Sequence, residues 1–434
     1  MHSLKKIIMK FLNKKIFKST LLKNTAVYTI TTIINSAIPF ILIPILTRYL
    51  DPTDYGIISV HAVIVAIISP FIGYNVYSNF TKIYYSNERS NLNIYIGNAL
   101  YILVGSTIVT CLMLFFSIDW IVKQTHIPSI WIWSTVVIAF TQFIIQIPLT
   151  IWQAKNSAFV FGLFQITSTL LNFTITLILV VLYKRNWIGR IEAQLINGIL
   201  FSIISIVILI KNRLLYLRID WTYIVSGIKF GVPLILHVIG GVFLSIINRF
   251  FITKYVGLEE AGLFFLAFQL TSIINIFTNA LNTAYVPWLF DKLALNSEIE
   301  KKKIVNLTYK YFIFLFISSI LFVIFVPFLF DIVVGKHFLR AIKYINWLVI
   351  GCVFNGMYLM VTNYLVYVKK TSLLAISTFS AAIITVLLNY IFILKFSAIG
   401  AAMASAVGFA LLFLFTWYFS AKSYKMPWFK FKNV

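Results

Sequence analysis

The amino-acid sequence predicts an all-α polytopic membrane protein with twelve transmembrane helices, arranged as two six-helix lobes in a parallel repeat around a central cavity. Hydrophobic residues make up 61% of the 434 residues and charged residues only 11%, whereas a soluble domain carries about 25% charged residues. Apolar runs of about 20 residues, long enough to cross a bilayer, recur along the whole chain. Such runs must be helical, because lipid offers no hydrogen-bond partner to an exposed backbone.

An internal repeat divides the chain into two halves. Leu46–Ile58 (LTRYLDPTDYGII) matches Ile252–Phe264 (ITKYVGLEEAGLF) at a shift of 206 residues. In both copies an apolar run ends in Thr, a cation and Tyr, and an acidic turn and Gly precede the next apolar run. A second match pairs LLNF at Leu170–Phe173 with LLNY at Leu387–Tyr390. Self-similarity at half the chain length predicts two lobes that are built alike.

Twelve spans are predicted, six on each side of a short linker. They cover approximately residues 24–48, 55–77, 94–116, 130–152, 158–182, 191–210, 227–255, 261–289, 304–328, 342–366, 373–394 and 398–419. The predicted organisation is a basic amino-terminal segment (1–23), a first lobe (24–210), a linker (211–226), a second lobe (227–421) and a basic tail (422–434).

Positive charge is distributed unequally between the two ends of the spans. Of the 36 Lys and Arg residues, 25 fall at the termini and in the even-numbered loops, and 10 fall in the odd-numbered loops. Because loops rich in Lys and Arg stay in the cytoplasm, both termini are predicted to be cytoplasmic. Two lobes of six spans then enter from the same side, which makes the repeat parallel. The basic amino-terminal segment fits either an interfacial amphipathic helix or a topogenic signal.

The net charge of +24 does not by itself indicate a nucleic-acid partner. The cations lie in short loops and at the termini, and no basic face or nucleic-acid motif accompanies them. Cys111 and Cys352 both lie in apolar runs, so we interpret them as small buried residues rather than as a disulfide. The sequence therefore predicts no nucleic-acid partner and no disulfide.

Proline and glycine interrupt several spans. A proline frees a backbone carbonyl and kinks a helix, which lipid tolerates only where protein or water satisfies that carbonyl. Such kinks fit either a moving bundle or a static one. In the last span, Gly400, Ala404 and Gly408 recur every four residues and predict a close-packing face. The interrupting residues are Pro39, Pro44, Pro70, Pro148, Pro233, Pro287, Pro327, Gly73, Gly240, Gly241, Gly351 and Gly356.

Polar residues form stripes at helical spacing in four spans. We predict that these faces line a hydrated cavity between the lobes; the alternative is interhelical hydrogen bonding in a dry bundle. The stripes are Thr25, Thr29, Thr32 and Ser36 in the first span; Gln142, Gln146, Thr150 and Gln153 in the fourth; His237, Gly241, Ser245 and Asn248 in the seventh; and Ser272, Asn275, Asn279 and Asn282 in the eighth.

Arg249 is the strongest single candidate for a functional residue, because it lies inside the predicted seventh span. A charge within a span is costly unless it reaches water, and such residues mark transport paths. Arg48 and Lys254 close their spans at the same level, so the three cations together predict a cationic outer mouth suited to an anion. The alternative for Arg48 and Lys254 is snorkelling to the outer headgroups. The lone His61 and His237 fit either core packing or a proton-linked role.

An enzymatic interpretation rests on Asp51 and Asp54 in the first outer loop. Membrane glycosyltransferases place carboxylates in outer loops to hold a metal or to activate an acceptor. The second copy of the repeat has the same acidic turn as Glu259-Glu260, so capping of the following helix explains both copies. No nucleotide-binding motif, Ser-His-Asp set or metal-ligand spacing is present in the sequence. We expect a protein that is not an enzyme and that uses no metal or cofactor.

Five degenerate motifs, taken in their order and spacing, carry a resemblance over nearly the whole chain. They are RYLDPTDYG at Arg48–Gly56, FGVPLIL at Phe230–Leu236, GLFFLAFQL at Gly262–Leu270, PWLF at Pro287–Phe290 and YLVYVKKT at Tyr364–Thr371. The chain resembles the bacterial polysaccharide flippases, the Wzx-type translocases of O-antigen or capsule repeat units. These belong to the multidrug/oligosaccharidyl-lipid/polysaccharide exporter superfamily.

The resemblance implies a protein of the bacterial plasma membrane whose cavity faces cytoplasm and periplasm in turn. It would move an undecaprenyl-diphosphate-linked oligosaccharide to the outer leaflet, with Arg249 set against the diphosphate or acidic sugars. Its partners would be membrane lipid, a coupling H⁺ or Na⁺, a polysaccharide polymerase and a chain-length regulator. Drug exporters of the same superfamily are the alternative, but few acidic residues lie in these spans, so the carboxylate sites of the ion-coupled drug exporters are not evident.

Overall fold

The structure is a computed structural model that describes residues 20–85, 91–368 and 370–428; at positions 20–26, 29, 236, 237, 329 and 331 it describes the backbone alone. Within these ranges the regular secondary structure is helical. We number the helices α1 Thr20–Tyr49, α2 Pro52–Ile68, α3 Phe80–Tyr85, α4 Leu92–Thr125, α5 Ser129–Ala154, α6 Ala158–Leu177, α7 Asn186–Lys211, α8 Trp221–Ser245, α9 Asn248–Tyr255, α10 Leu258–Ala294, α11 Glu298–Val333, α12 Ile342–Tyr367, α13 Thr371–Phe396 and α14 Ala398–Ser423.

The predicted number of spans is confirmed. Twelve helical segments in the described chain are long and apolar enough to cross a membrane, and the protein is a multi-pass membrane protein. Most helices extend a few residues beyond the predicted apolar runs, because polar residues at either end continue the helical hydrogen bonding. The largest such difference is in α4, which reaches Thr125 rather than the predicted residue 116.

Two predicted spans are not continuous helices. The second span ends as an α-helix at Ile68 and continues as short 3₁₀ turns over Ser69–Phe71 and Gly73–Asn79. Its backbone is left-handed at Gly73, Tyr74 and Asn75. The seventh span is broken at residues 246–247, so that α9 starts at Asn248. A polar residue lies at each break, Asn75 in the first and Asn248 directly after the second.

The described chain separates into two compact units. Unit 1 contains the described residues up to Leu42, together with Ile68–Phe115 and Ser134–Leu234, and unit 2 contains Ile43–Ile67, Phe116–Trp133 and the residues from Ile235 onward. These boundaries differ from those of the predicted lobes, which remain a prediction.

The core of unit 1 is built around α5, α6 and α7. Leu149, Phe161, Phe164 and Phe201 form a buried apolar cluster, in which the rings of Phe164 and Phe201 meet edge to face with centroids 5.0 Å apart. Such ring pairs add to the stabilisation from burial alone. This cluster fixes the spacing of the helices that carry the polar residues described below.

In unit 2 the two copies of the repeat pack against each other. A Cβ added to Gly56 would overlap the carbonyl oxygen of Leu258, and a Cβ added to Gly262 would overlap the carbonyl oxygen of Pro52. Gly56 and Gly262 are equivalent in the repeat, as are Pro52 and Leu258. The contact is therefore reciprocal, and each glycine lets the other copy's backbone approach closely.

The predicted packing face of the last span is confirmed. Gly400, Ala404 and Gly408 are all buried on α14. A Cβ on Gly400 would overlap the backbone of Phe392, and one on Gly408 would overlap the side chain of Thr385, both on α13. Cys111 and Cys352 are free, with Cys352 buried.

Candidate functional site

Three of the predicted stripe residues meet in one polar cavity of unit 1. Thr32 and Ser36 on α1 and Gln146 on α5 line a cavity of about 430 Å³. A fourth stripe residue, Gln142, lines an adjoining cavity of about 140 Å³. Gln146 lines both cavities. We call the two cavities together the polar recess.

The structure adds residues to the recess that the sequence analysis missed. Asn35 lies on α1 beside Ser36, and Gln165, Ser168 and Thr169 lie on α6. The Asn35 Nδ2 donates to Gln165 Oε1 at 3.1 Å, which joins the two helices across the cavity. Ser168 and Thr169 follow Gln165 by three and four residues, so the three share one helix face. The same helical spacing that indicated the other stripes therefore marks these residues in the fifth span.

The irregular end of the second span supplies Asn75 to the recess. Gly73 has φ +72°, and a Cβ there would overlap the ring of Phe143, so the turn requires glycine. The Gly73 amide donates to Ser106 Oγ at 2.7 Å, which ties the turn to α4. As a result Asn75 lines the same cavity as Gln142 and Gln146 on α5.

The recess is polar but uncharged. No described residue that lines either cavity is ionised at neutral pH; the polar groups are amides, hydroxyls and a phenol. Two of its buried polar atoms, Asn35 Oδ1 and Asn75 Nδ2, have no hydrogen-bond partner within the described chain. Buried polar atoms are nearly always satisfied in proteins, so an orphaned acceptor and an orphaned donor indicate a place for a ligand or water.

Arg249 is buried in unit 2, immediately after the break between α8 and α9. The residue is only 4% exposed, and its guanidinium carbon lies 4.5 Å from the ring centre of Phe265 and 4.6 Å from that of Phe268. No ion pair of the described chain includes Arg249, and its Nε has no hydrogen-bond partner there. The guanidinium therefore does not snorkel to the protein surface.

The other two predicted cations behave differently. Arg48 lies in the last turn of α1 and Lys254 lies in the last turn of α9, and both side chains are exposed. The Lys254 ammonium lies 5.3 Å from the ring centre of Tyr255. These positions fit the alternative given for both residues, in which a long cation reaches the headgroup region from the end of a span.

Asn248, which the sequence predicts to line the cavity, is buried and fits the alternative of interhelical hydrogen bonding. It is only 1% exposed and donates to Ser405 Oγ at 2.5 Å, while Asn389 donates to Asn248 Oδ1 at 3.0 Å. Asn248 therefore joins α9 to α13 and α14 by hydrogen bonds. It is the first residue of α9, directly after the break at residues 246–247.

The stripe on α10 also bonds to a neighbouring helix. Asn355 donates to Asn275 Oδ1 at 3.1 Å and Asn363 donates to Asn282 Oδ1 at 2.8 Å, so that α12 and α10 are joined at two levels. Asn279 is exposed and donates to the backbone of its own helix. The Asn275 and Asn282 contacts fit interhelical bonding, the alternative to a cavity lining.

Two further stripe residues, Ser272 and Thr32, donate hydrogen bonds within their own helices. Ser272 is half-buried and donates to the carbonyl of Gln269 at 2.6 Å, and Ser245 is half-buried at the end of α8. Thr32, besides lining the recess, donates to the carbonyl of Tyr28. The side chains of Thr25, Thr29 and His237 lie outside the described part of the structure.

The two acidic turns of the repeat differ. The Asp54 amide donates to Asp51 Oδ1 at 2.7 Å, so Asp51 caps α2 as predicted. The first turn of α10 has no side-chain cap, which corrects the prediction for the second copy. There, Glu260 forms ion pairs with Arg340 and Lys343 and accepts a hydrogen bond from the Tyr344 hydroxyl.

A family model described as "Polysaccharide biosynthesis protein" matches residues 21–293. An uncharacterized membrane protein of Haemophilus influenzae is 26% identical over 358 residues, covering 81% of this chain and 85% of that protein. The Lsg locus putative protein 1 of the same organism is 23% identical over 367 residues, covering 81% of this chain and 86% of that protein.

Two solved structures share the fold. The inward closed conformation of the lipid II flippase MurJ has a TM-score of 0.72 at 15% identity, covering 92% of this chain and 87% of that chain. An inward-facing multidrug resistance MATE transporter of the MOP superfamily has a TM-score of 0.70 at 12% identity, covering 91% and 94%. The family model covers more than half of the chain, so the chain belongs to the polysaccharide biosynthesis protein family. The solved structures confirm the predicted fold.

Proposed function

Because the chain belongs to the polysaccharide biosynthesis protein family, we propose that it is a flippase for an undecaprenyl-diphosphate-linked oligosaccharide. It moves the repeat unit of a surface polysaccharide, an O-antigen or a capsule, from the cytoplasmic to the periplasmic leaflet. The fold shared with the lipid II flippase MurJ supports a lipid-linked substrate, and the uncharged polar recess supports a headgroup rich in hydroxyls.

The observation that carries the proposal is the unpaired, buried Arg249. Burial of a charge costs several kcal/mol, and a desolvated cation–π contact returns about 2 kcal/mol, so Phe265 and Phe268 offset only part of that cost. A diphosphate would supply the missing negative charge and accept hydrogen bonds from the guanidinium. The substrate's diphosphate thereby completes a site that the described chain leaves uncompensated.

Transport follows alternating access, in which the two predicted lobes rock to open the cavity to each side in turn. The sugar headgroup crosses through polar surroundings while the polyprenyl tail stays in lipid. The protein lies in the bacterial plasma membrane with both termini in the cytoplasm, consistent with its charge distribution. H⁺ or Na⁺ drives net export, and a polysaccharide polymerase and a chain-length regulator receive the product.

Export of drugs is the second candidate, because the inward-facing MATE transporter shares the fold. Arg249 argues against a cationic drug as substrate, since a buried and unpaired guanidinium repels it. We do not propose an enzyme, because Asp51 caps its own helix.

The test is complementation of a strain that lacks the gene. The Arg249→Ala variant should give no surface polysaccharide at wild-type protein level in the membrane, and Arg249→Lys should restore part of it if charge alone matters. Lys395→Ala, which removes an exposed cation at the end of α13, is the matched control and should complement fully. Full complementation by Arg249→Ala would refute the assignment, and altered drug resistance with normal surface polysaccharide would favour drug export.

A further inference from the structure

The polar recess of unit 1 has the composition of a carbohydrate site. Amide side chains enter it from α1, α5, α6 and the 3₁₀ segment before α3. Four of them are Asn35, Asn75, Gln146 and Gln165, and the aromatic ring of Phe164 forms part of the wall. A sugar ring presents hydroxyls at its rim and C–H groups on its faces, so it needs both kinds of surface. The larger cavity, at about 430 Å³, lies within the size range of small-molecule sites.

The unpaired atoms of the recess match a hydroxyl group. Asn35 Oδ1 is a buried acceptor without a partner, and Asn75 Nδ2 is a buried donor without a partner, within the described chain. A hydroxyl both donates and accepts, so a sugar hydroxyl can supply the donor that Asn35 Oδ1 lacks or the acceptor that Asn75 Nδ2 lacks. The remaining bonds of these side chains hold them in place, since Asn35 donates to Gln165 and Tyr77 donates to Asn75.

The charge of the recess selects among sugars. No described lining residue carries a positive charge, so the carboxylate of an acidic sugar would lose its hydration without gaining a counter-ion. A neutral sugar loses only hydroxyl hydration, which the amides replace. A drug cation would equally find no carboxylate among these residues.

We propose that the polar recess binds an uncharged sugar ring of the transported glycan, and that it selects against uronic acids at this position. The inference rests on the proposed function, because it assigns part of the same substrate. Arg249 of unit 2 and the recess of unit 1 are made by different residues, so the proposed diphosphate contact and the proposed sugar contact can be removed by separate substitutions.

The test measures binding to the full-length protein in lipid nanodiscs. The probes are undecaprenyl diphosphate bearing glucose, galactose or N-acetylglucosamine, each paired with its uronic acid counterpart, and undecaprenyl diphosphate without sugar. At least one neutral sugar should bind about tenfold more tightly than its uronic acid and than the sugar-free lipid. Asn35→Leu should lower that affinity about tenfold and leave binding of the sugar-free lipid unchanged.

A gain of function sharpens the test. Gln165→Arg places a cation in the recess and should raise affinity for a uronic acid lipid relative to its neutral counterpart. Equal or tighter binding of all three uronic acids by the wild type, or an unchanged neutral-sugar affinity in Asn35→Leu, would overturn the inference and leave the proposed function standing. Failure of the wild type to bind any of the diphosphate lipids would instead overturn the proposed function.

Discussion

The two copies of the repeated segment, Leu46–Ile58 and Ile252–Phe264, make the same backbone contact but use their polar residues differently. Gly56 packs on Leu258 and Gly262 packs on Pro52, so that the contact is reciprocal under the repeat. In the first copy Thr47 Oγ1 donates to Ile43 and accepts from the Gly335 amide. In the second, the equivalent Thr253 has no partner for its hydroxyl oxygen within the described chain.

The acidic turns differ more. Asp51 caps the helix that it precedes, whereas Glu259 and Glu260 lie inside the first turn of α10 and pair with Arg340 and Lys343. Close backbone packing constrains both copies alike, because any side chain at Gly56 or Gly262 would overlap the backbone of the other copy. The polar positions contact different neighbours in each copy and have diverged accordingly.

The largest expected effect is that of a side chain placed in the shared contact. Gly262→Val drives a Cβ into the Pro52 carbonyl, so we expect loss of most folded protein; the smaller Gly262→Ala should destabilise by about 3 kcal/mol, the upper end of the overpacking range. Thermal unfolding of the detergent-purified variants measures this. Gly241→Ala, where the new Cβ meets no atom, is the control. Equal melting temperatures for the two alanine variants would contradict the claim that close backbone packing at Gly262 requires glycine.

An intermediate effect on stability is expected at Glu260, the carboxylate that forms ion pairs in the second copy. Glu260→Gln removes the charge that pairs with Arg340 and Lys343, and its side chain is only 16% exposed, so the unfolding free energy should fall by about 1–2 kcal/mol. Glu259→Gln, at a side chain that is 53% exposed, should cost at most about 0.5 kcal/mol. Denaturant titration compares the two, and a larger loss in Glu259→Gln would contradict this account of the second copy.

The smallest effect is expected at the cap of the first copy. Asp51→Ala should cost about 1 kcal/mol because α2 loses its side-chain cap, while Asp51→Asn retains a good capping group and should be close to neutral. Both variants should support normal surface polysaccharide in the complementation assay. Loss of polysaccharide in Asp51→Asn, at normal stability, would revive the enzymatic interpretation.

Much of the fold could be predicted from the sequence because its signals are local. The length of the apolar runs predicts the twelve spans, and the four-residue spacing of Gly400, Ala404 and Gly408 predicts a packing face. Pro70 and Gly73 marked a weak point in the second span. The left-handed conformation at Tyr74 and Asn75 was not predictable, since it depends on Gly73 meeting Phe143 and Ser106.

The candidate site was predictable only in part, because a polar stripe shows which face is polar but not what that face meets. The stripes on α1 and α5 meet in the recess, whereas Asn275 and Asn282 meet asparagines on α12. Asn248 hydrogen-bonds to Ser405 and Asn389 on the last two helices, which its place in a stripe does not indicate. The burial of Arg249 followed from its position inside a span, but its two phenylalanine neighbours required the packing of α9 on α10.

The most direct test of the central claim is transbilayer movement of an undecaprenyl-diphosphate-linked oligosaccharide in vesicles containing the purified protein. The glycan that reaches the opposite leaflet is counted by its accessibility to a membrane-impermeant lectin. The wild type should move the lipid well above the rate of protein-free vesicles, and Arg249→Gln should fall to that background rate. Background movement by the wild type, or wild-type movement by Arg249→Gln, would contradict the account.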